Sequence, residues 1–250
     1  MNVIQVTLNR PRQANAFNTK MAEELLAFWK GLGKGRQAAR AVILTGSGDR
    51  AFCAGADLKE RDGMSDDDWR KQHKIFEEMS YSIMESPIPV IAAVNGAAFG
   101  GGCELVLASD FAYAAQGARF ALTEVSLGIM PGIGATQRLP RLVGPARAKE
   151  FLMTAKPIGA QDAHRWGLVN QLCSQEELLP AALETAERIA SNAPLAVAAV
   201  RRAADAAGDL PLKEGLAVEL ENYYGLVETE DRFEGIRAFN EKRKPLFKGR

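Results

Sequence analysis

Two acidic residues and two glycine-rich turns are the parts of this 250-residue chain whose types and spacing could do chemistry. The first acid, Glu104, lies in residues 89–110, PVIAAVNGAAFGGGCELVLASD. Gly100, Gly101 and Gly102 precede a short run, 103–108, that is apolar nearly all round and therefore predicts a buried helix. A carboxylate in the first turn of such a helix is costly unless something compensates it. Burial raises its pKa and the helix N-terminus lowers it, so a glutamate balanced between the two can trade protons near neutral pH. A side-chain-free turn entering a helix also leaves backbone N–H groups open to close approach by a ligand. This stretch therefore offers an oxyanion site and an acid/base group within a few residues. The same residues also describe a buried glutamate satisfied by the backbone after a tight turn.

The second turn is AFCAGADLKE, residues 51–60, which leaves the N–H groups of Gly55 and Ala56 open before a charged helical segment. Read alone it is an ordinary strand-to-helix turn, and Lys59 beyond it is either an exposed lysine or a group that could meet a phosphate. The second acid, Glu124, stands in LTEVSLG, 20 residues past Glu104 with turns between, and spacing alone does not bring the two together. Of the two histidines, His73 falls on the apolar side of a predicted helix, where a packed or boundary role fits better than catalysis. A Ser-His-Asp triad would need His164, and no GxSxG elbow supports one. There is no Walker loop and no GxGxxG.

The elements that must position these groups read plainly. Strands are expected at 3–8, 41–45, 88–94, 111–115, 119–122 and 168–173. Asn18-Thr19 can cap a helix whose apolar residues Met21, Leu25, Phe28, Trp29 and Leu32 keep helical spacing. That helix closes in a basic loop with Lys34 and Arg36, read as a solvated turn. Ser65, with Asp66, Asp67 and Asp68, starts a long helix whose stripe Trp69, His73, Phe76, Met79 and Ile83 reads as core packing. Residues 136–142, 146–154 and 160–166 read as helices. From 176 the pattern is helical to the end, at 176–191, 195–207, 211–226 and 230–242. The first two-thirds alternates strand and helix and the last third is all helix, an α/β chain divided into a core, 1–175, and a helical region, 176–250. The basic tail from Lys242 to Arg250 reads as solvated, or as a clamp if an anionic ligand lies near.

Composition bounds the partners. With 31 basic and 31 acidic residues the formal net charge is zero, so nothing global argues for nucleic acid or an anionic membrane. Three scattered cysteines, Cys53, Cys103 and Cys173, fit a reducing compartment and exclude a cysteine zinc cluster. There is no apolar span of membrane length and no visible signal peptide, from which a cytoplasmic location is expected, or the mitochondrial matrix if the chain is eukaryotic with its presequence removed.

Asn9-Arg10-Pro11 with Ala14-Asn15-Ala16-Phe17-Asn18, FCAGADLKE, AAVNGAAFGGGCELVLASD and PGIGATQRLPRLVG, in that order and through residues 238–243, resemble the enoyl-CoA hydratase/isomerase family, the crotonases. The resemblance implies a spiral of ββα units followed by a helical C-terminal region used in trimer formation, and a trimer or a dimer of trimers. It also implies a further strand before Val3, so that either the first hairpin is truncated or the true start lies upstream.

What the family shares is stabilisation of a thioester enolate. Carried onto this chain, the oxyanion donors are the N–H groups of Ala56 and Gly101. Members resembling hydratases keep two glutamates, at Glu104 and Glu124, where isomerases commonly keep one. The pair is expected to hold one water, with Glu104 deprotonating it for attack at C3 and Glu124 accompanying proton delivery to C2. Gly132 is expected to supply backbone near that water. Lys59, Phe239 and Lys242 match positions that reach the coenzyme A nucleotide, the last two often from a neighbouring subunit, and Ala54, Asp57 and Leu58 lie along the same contact. The implied reaction is reversible hydration of a trans-2-enoyl-CoA in fatty-acid β-oxidation. No metal and no separate cofactor are implied, coenzyme A being part of the substrate.

Two alternatives stand beside it. FCAGADLKER, QRLPR and the C-terminal pattern look especially like methylglutaconyl-CoA hydratases, and isomerisation of the double bond is a related outcome. RNA binding, known among relatives of the methylglutaconyl enzyme, would need a basic helix face. Lys30, Lys34, Arg36 and Arg40 are a thin version of one, and the neutral net charge argues against it.

Overall fold

Apolar runs that present alternate residues to two buried faces build the frame. In the computed structural model, which describes residues 2–32 and 39–250, β1 (Val3–Leu8) leads through a 3-10 turn into α1 (Thr19–Gly31). The Asn18 side chain accepts from the Met21 N–H and caps α1. Lys34 and Arg36 lie outside the described residues. β2 (Ala41–Gly46), β3 (Ala51–Cys53), the single turn α2 (Leu58–Arg61) and the long α3 (Asp66–Met84) follow. Ser65 caps α3 by accepting from Asp68 N–H, with three aspartates in the positive first turn. β4 (Val90–Val94), β5 (Ala97–Phe99) and α4 (Gly101–Ala108) make up the glycine-rich stretch, so the helix expected from 103 begins two residues earlier.

Next come β6 (Phe111–Ala115), β7 (Arg119–Ala121) and a 3-10 turn at Glu124–Leu127. They are followed by α5 (Ala135–Val143), α6 (Pro145–Thr154), β8 (Ile158–Gly159), α7 (Ala160–Trp166) and β9 (Gln171–Cys173). Four helices close the chain: α8 (Leu178–Ala190), α9 (Pro194–Ala206), α10 (Leu212–Tyr224) and α11 (Glu230–Asn240).

The strands form two sheets, one ordered β1-β2-β4-β6-β9 and one ordered β3-β5-β7-β8. The five-stranded sheet is parallel throughout, and in the second only β8 runs antiparallel, against β7. Each turn of the chain puts one strand in each sheet, as β2 then β3, β4 then β5, β6 then β7: the spiral of ββα units. β5 and β8, which sequence reasoning passed over, are only three and two residues long, and β5 lies between Gly96 and Gly100. Too few side chains remain there to show a period.

In the five-stranded sheet, Val42, Leu44, Val90, Ala92 and Val94 face one core with α1, α3 and α4. Their neighbours Ile43, Ile91 and Ala93 face the other side, where Leu178, Ala182 and Ala186 of α8 cover them. The strands are thus buried on both faces and read as continuous apolar runs. α4 lies so close to β3 that a Cβ on Gly102 would sit 2.0 Å from the carbonyl oxygen of Cys53. Only glycine permits that approach.

The tail differs from the solvated segment expected of its basic sequence. Asp231, 3% exposed at the start of α11, accepts from the N–H groups of Lys248 and Gly249 at 2.6 and 2.8 Å, and Arg243 pairs with Glu234. Acidic residues in the first turns of α11 hold the tail in place of solvent. Lys30 and Arg40, half of the thin basic face, are likewise engaged: Lys30 with Glu78 at 2.7 Å, Arg40 with the carbonyls of Ala190 and Phe247. No helix among the described residues is long and apolar enough to cross a membrane.

Candidate active site

β3, β5 and β7 are parallel neighbours, so the turns leaving their C-terminal ends meet at one edge of the second sheet. Ala56 follows β3, Gly101 follows β5 and Glu124 follows β7. The Gly100 N–H donates to the Ala121 carbonyl at 2.8 Å and ties the last two turns together.

Phe17 bridges the Ala56 turn on its outer side: its N–H donates to the Gly55 carbonyl at 2.9 Å, and its carbonyl accepts from Asp57 N–H at 2.9 Å. In extended backbone, alternate amides point opposite ways, so the Ala56 N–H faces away from Phe17. A Cβ on Gly55 would lie 3.0 Å from the Gly101 nitrogen, and one on Gly101 would lie 3.6 Å from the Gly55 Cα. Neither Ala56 N–H nor Gly101 N–H has an acceptor among the described residues. Gly101 is the first residue of α4, where an N–H has no intrahelical partner. Both amides belong to one cavity of about 100 Å³, also lined by Ala54, Leu58, Glu104, Glu124 and Gly132. That is well below the ~300–1,000 Å³ of a site enclosing a whole drug-sized ligand.

The two acids are held differently. Glu104, 4% exposed, accepts the N–H groups of Ile133 and Ala135 on Oε1, each at 3.0 Å. Burial pushes its carboxyl up, and the amides of Ala135, Ile133 and Gly132 pull it back toward the charged form. Glu124 is 8% exposed, and its Oε2 has no hydrogen-bond partner among the described residues. Burial raises its pKa to about 7; its own backbone N–H opposes the shift, and the charge of Glu104 adds to it. Gly100 sits against it, since a Cβ there would lie 3.3 Å from Glu124 Oε1. The arrangement offers one acid fixed by amides and one carboxyl able to give or take a proton near neutral pH, beside two open N–H dipoles.

A raised carboxyl pKa has a stability consequence of definite sign. Glu124 moves from an ordinary 4.5 to about 7 on folding, so between those values the folded chain binds more protons than the unfolded one. Stability therefore falls as pH rises through that window, and the full cost, up to about 3 kcal/mol, is present above it. Glu124→Gln removes the ionisation. In urea unfolding the variant should gain little at about pH 5 and up to about 3 kcal/mol at about pH 8.5. An equal difference at both values would contradict this origin.

Not every expected contact reaches the cavity. Asp57 instead caps α2 through the Lys59 N–H and pairs with Arg10 at 2.8 Å. Lys59 stands exposed in α2, outside the cavity lining. Phe239 is 83% exposed at the end of α11, and it and Lys242 are not among the residues lining the cavity. Two residues that sequence reasoning did not select do line it. His73 faces Gly132 so closely that a Cβ there would be 2.6 Å from the imidazole, so the stripe of α3 supplies a site residue as well as core. Arg61 is 8% exposed, with its guanidinium 3.9 Å from the Trp69 ring centroid. It stands in the charged run LKER, and only the folding of α3 over α2 shows that it is buried.

A spiral of ββα turns that gathers two unpaired amides and two buried acids at one sheet edge is the crotonase fold, of class α/β. A profile described as enoyl-CoA hydratase/isomerase matches residues 1–250, and the chain belongs to that family. It is 42% identical over 243 residues to the mitochondrial enoyl-CoA hydratase of Pongo abelii, covering 97% of this chain and 82% of that one. It is 41% identical over 256 residues to a carnitinyl-CoA dehydratase of Salmonella agona, covering 99% and 95%. The crystal structure of an enoyl-CoA hydratase from Bacillus anthracis superposes with a TM-score of 0.97 at 45% identity, over 100% of this chain and 96% of that one.

Proposed function

We propose that this chain is an enoyl-CoA hydratase that reversibly adds water to a short trans-2-enoyl-CoA to give a 3-hydroxyacyl-CoA. The observation that carries the reading is one cavity holding both open amides and both glutamates. The thioester oxygen lies between the N–H groups of Ala56 and Gly101. Water between the acids attacks C3, and its proton passes to Glu104. The C2=C3 electron pair moves onto the thioester oxygen, where fixed dipoles stabilise the charge with little reorganisation. The enolate then takes a proton at C2 from Glu124. Proton exchange within the coupled pair restores the starting state. Dehydration is the reverse.

The coenzyme A arm leaves over Ala54 and Leu58 toward Lys59, whose flexible ammonium suits a phosphate. Phe239 and Lys242 reach the nucleotide from a neighbouring subunit. Large apolar side chains exposed on α10 and α11, among them Leu212, Tyr223, Tyr224, Phe233 and Ile236, support a trimer or a dimer of trimers. On this reading residues 1–175 hold the site and 176–250 serve mainly assembly and nucleotide cover. Three buried, unpaired cysteines fit a reducing compartment such as the cytoplasm.

The test is a panel of enoyl-CoA thioesters followed by loss of the conjugated thioester absorbance. Hydration of crotonyl-CoA to 3-hydroxybutyryl-CoA is expected. Migration of the double bond in a 3-enoyl-CoA, with no hydration of any 2-enoyl-CoA, would replace hydratase by isomerase.

A further inference from the structure

The long helix α3 touches the site in a second way besides its core packing. His73, Phe76, Ser80 and Met84 fall on one face of it, at the three- and four-residue spacing of helix neighbours. That face runs along residues 132–134, which lead into α5. His73 stands against Gly132, where a Cβ would meet the imidazole at 2.6 Å, and Met84 against Gly134, where a Cβ would lie 3.8 Å from its Cε. Between them Ser80, fully buried, donates its hydroxyl to the Ile133 carbonyl at 2.8 Å.

A serine inside a helix can bond back to the carbonyl four residues earlier. Ser82 does so, to Glu78 at 2.7 Å. Ser80 reaches off its helix instead. The Ile133 carbonyl accepts from no other group among the described residues. On its other side the same residue faces the acid: the N–H groups of Ile133 and Ala135 donate to Glu104 Oε1, each at 3.0 Å. Glycines flank Ile133, and Gly134 has φ +126°, so this backbone has more freedom than most. One hydroxyl pins it.

We propose that Ser80 is a positioning residue for Glu104: by holding the Ile133 carbonyl it keeps the amides of Ile133 and Ala135 aimed at one carboxyl oxygen and leaves the other to the water. The inference rests on the hydratase reading above, in which Glu104 takes the proton of that water. The same amides favour the charged form of Glu104 against its burial. Without Ser80 the loop drifts, the amides loosen, and Glu104 keeps its proton to higher pH.

The other ionisable groups around Glu104 are not altered by a change at Ser80. Glu124 follows β7, Arg61 lies on α2, and His73 on α3 faces Glu77, its Nε2 3.5 Å from Glu77 Oε1. Burial pushes up the thiols of Cys53 on β3 and Cys103 on α4, and Arg138 of α5 is turned to the Leu107 carbonyl.

The test uses Ser80→Ala, with crotonyl-CoA as substrate. Its kcat should fall about 10- to 10²-fold, the usual effect of a small misplacement of a reacting group, with KM little changed because the two oxyanion amides are untouched. The acidic limb of kcat/KM should move to higher pH. Ser80→Cys, which keeps a weak donor in nearly the same volume, should fall between Ser80→Ala and the wild type. In the Glu104→Gln background Ser80→Ala should cost nothing further, because it acts through the acid already lost. A folded Ser80→Ala or Ser80→Cys protein with wild-type kcat, an unmoved acidic limb, or a loss that multiplies with that of Glu104→Gln would overturn the role of Ser80 and leave the hydratase standing. Failure of the wild-type protein to hydrate crotonyl-CoA or any other 2-enoyl-CoA would remove the hydratase reading itself, and this inference with it.

Discussion

Glu104→Gln is expected to lower kcat for hydration of crotonyl-CoA by about 10²–10⁴-fold while the protein folds and still binds acyl-CoA. The side-chain amide has nearly the shape of the carboxylate. Its carbonyl can keep the bonds now accepted from Ile133 and Ala135, each 3.0 Å long. What it cannot do is take a proton from water. Because burial already opposes the charge of Glu104, replacing it should not destabilise the fold. The expectation is checked by turnover, by the far-UV spectrum and by titration with butyryl-CoA, a saturated thioester that binds without reacting. Near-normal turnover in the variant would refute the role given to Glu104.

Gly55→Ala is expected to cost about 10²–10³-fold in kcat through the main chain alone, the usual effect of losing one oxyanion donor. Gly55 has φ +92°, which a side chain rarely adopts, and its added Cβ would stand 3.0 Å from both the Gly101 nitrogen and the Phe99 carbonyl oxygen. The new methyl is a wedge between the two turns and drives the Ala56 and Gly101 amides apart. Stability should fall by about 1–3 kcal/mol, so activity is measured at a temperature where urea titration shows the variant folded. A folded Gly55→Ala protein with wild-type kcat would mean that the two amides do not act on one oxygen.

Much of this was legible before the fold was known, and for identifiable reasons. Capping residues mark their helices locally, which is why Asn18 and Ser65 placed α1 and α3 correctly. The buried parallel strands announce themselves as unbroken apolar runs. The glycine turns could be picked out because exposed N–H groups follow from the absence of side chains. The placing of Glu124 beside Gly100 could not, since it depends on Phe99 of β5 pairing with Ala121 of β7, a contact between strands too short to show a pattern. Arg61 was hidden for the opposite reason. Its neighbours in sequence are charged, and its burial comes from Trp69 and Phe76 on the next helix. The tail misled because Asp231, which holds it, lies 17 residues before Lys248.

The three turns that meet at the sheet edge carry two kinds of information. Ala56 and Gly101 contribute main-chain groups, which every residue but proline possesses, so random substitution seldom erases them so long as the backbone path is kept. The acids reside in side chains, and one codon change removes either. On the proposed reading, a lineage built this way can lose or exchange its acids while inheriting the two open amides intact. New reactions can then arise by drift at one turn of the spiral, with no need to reinvent the other two.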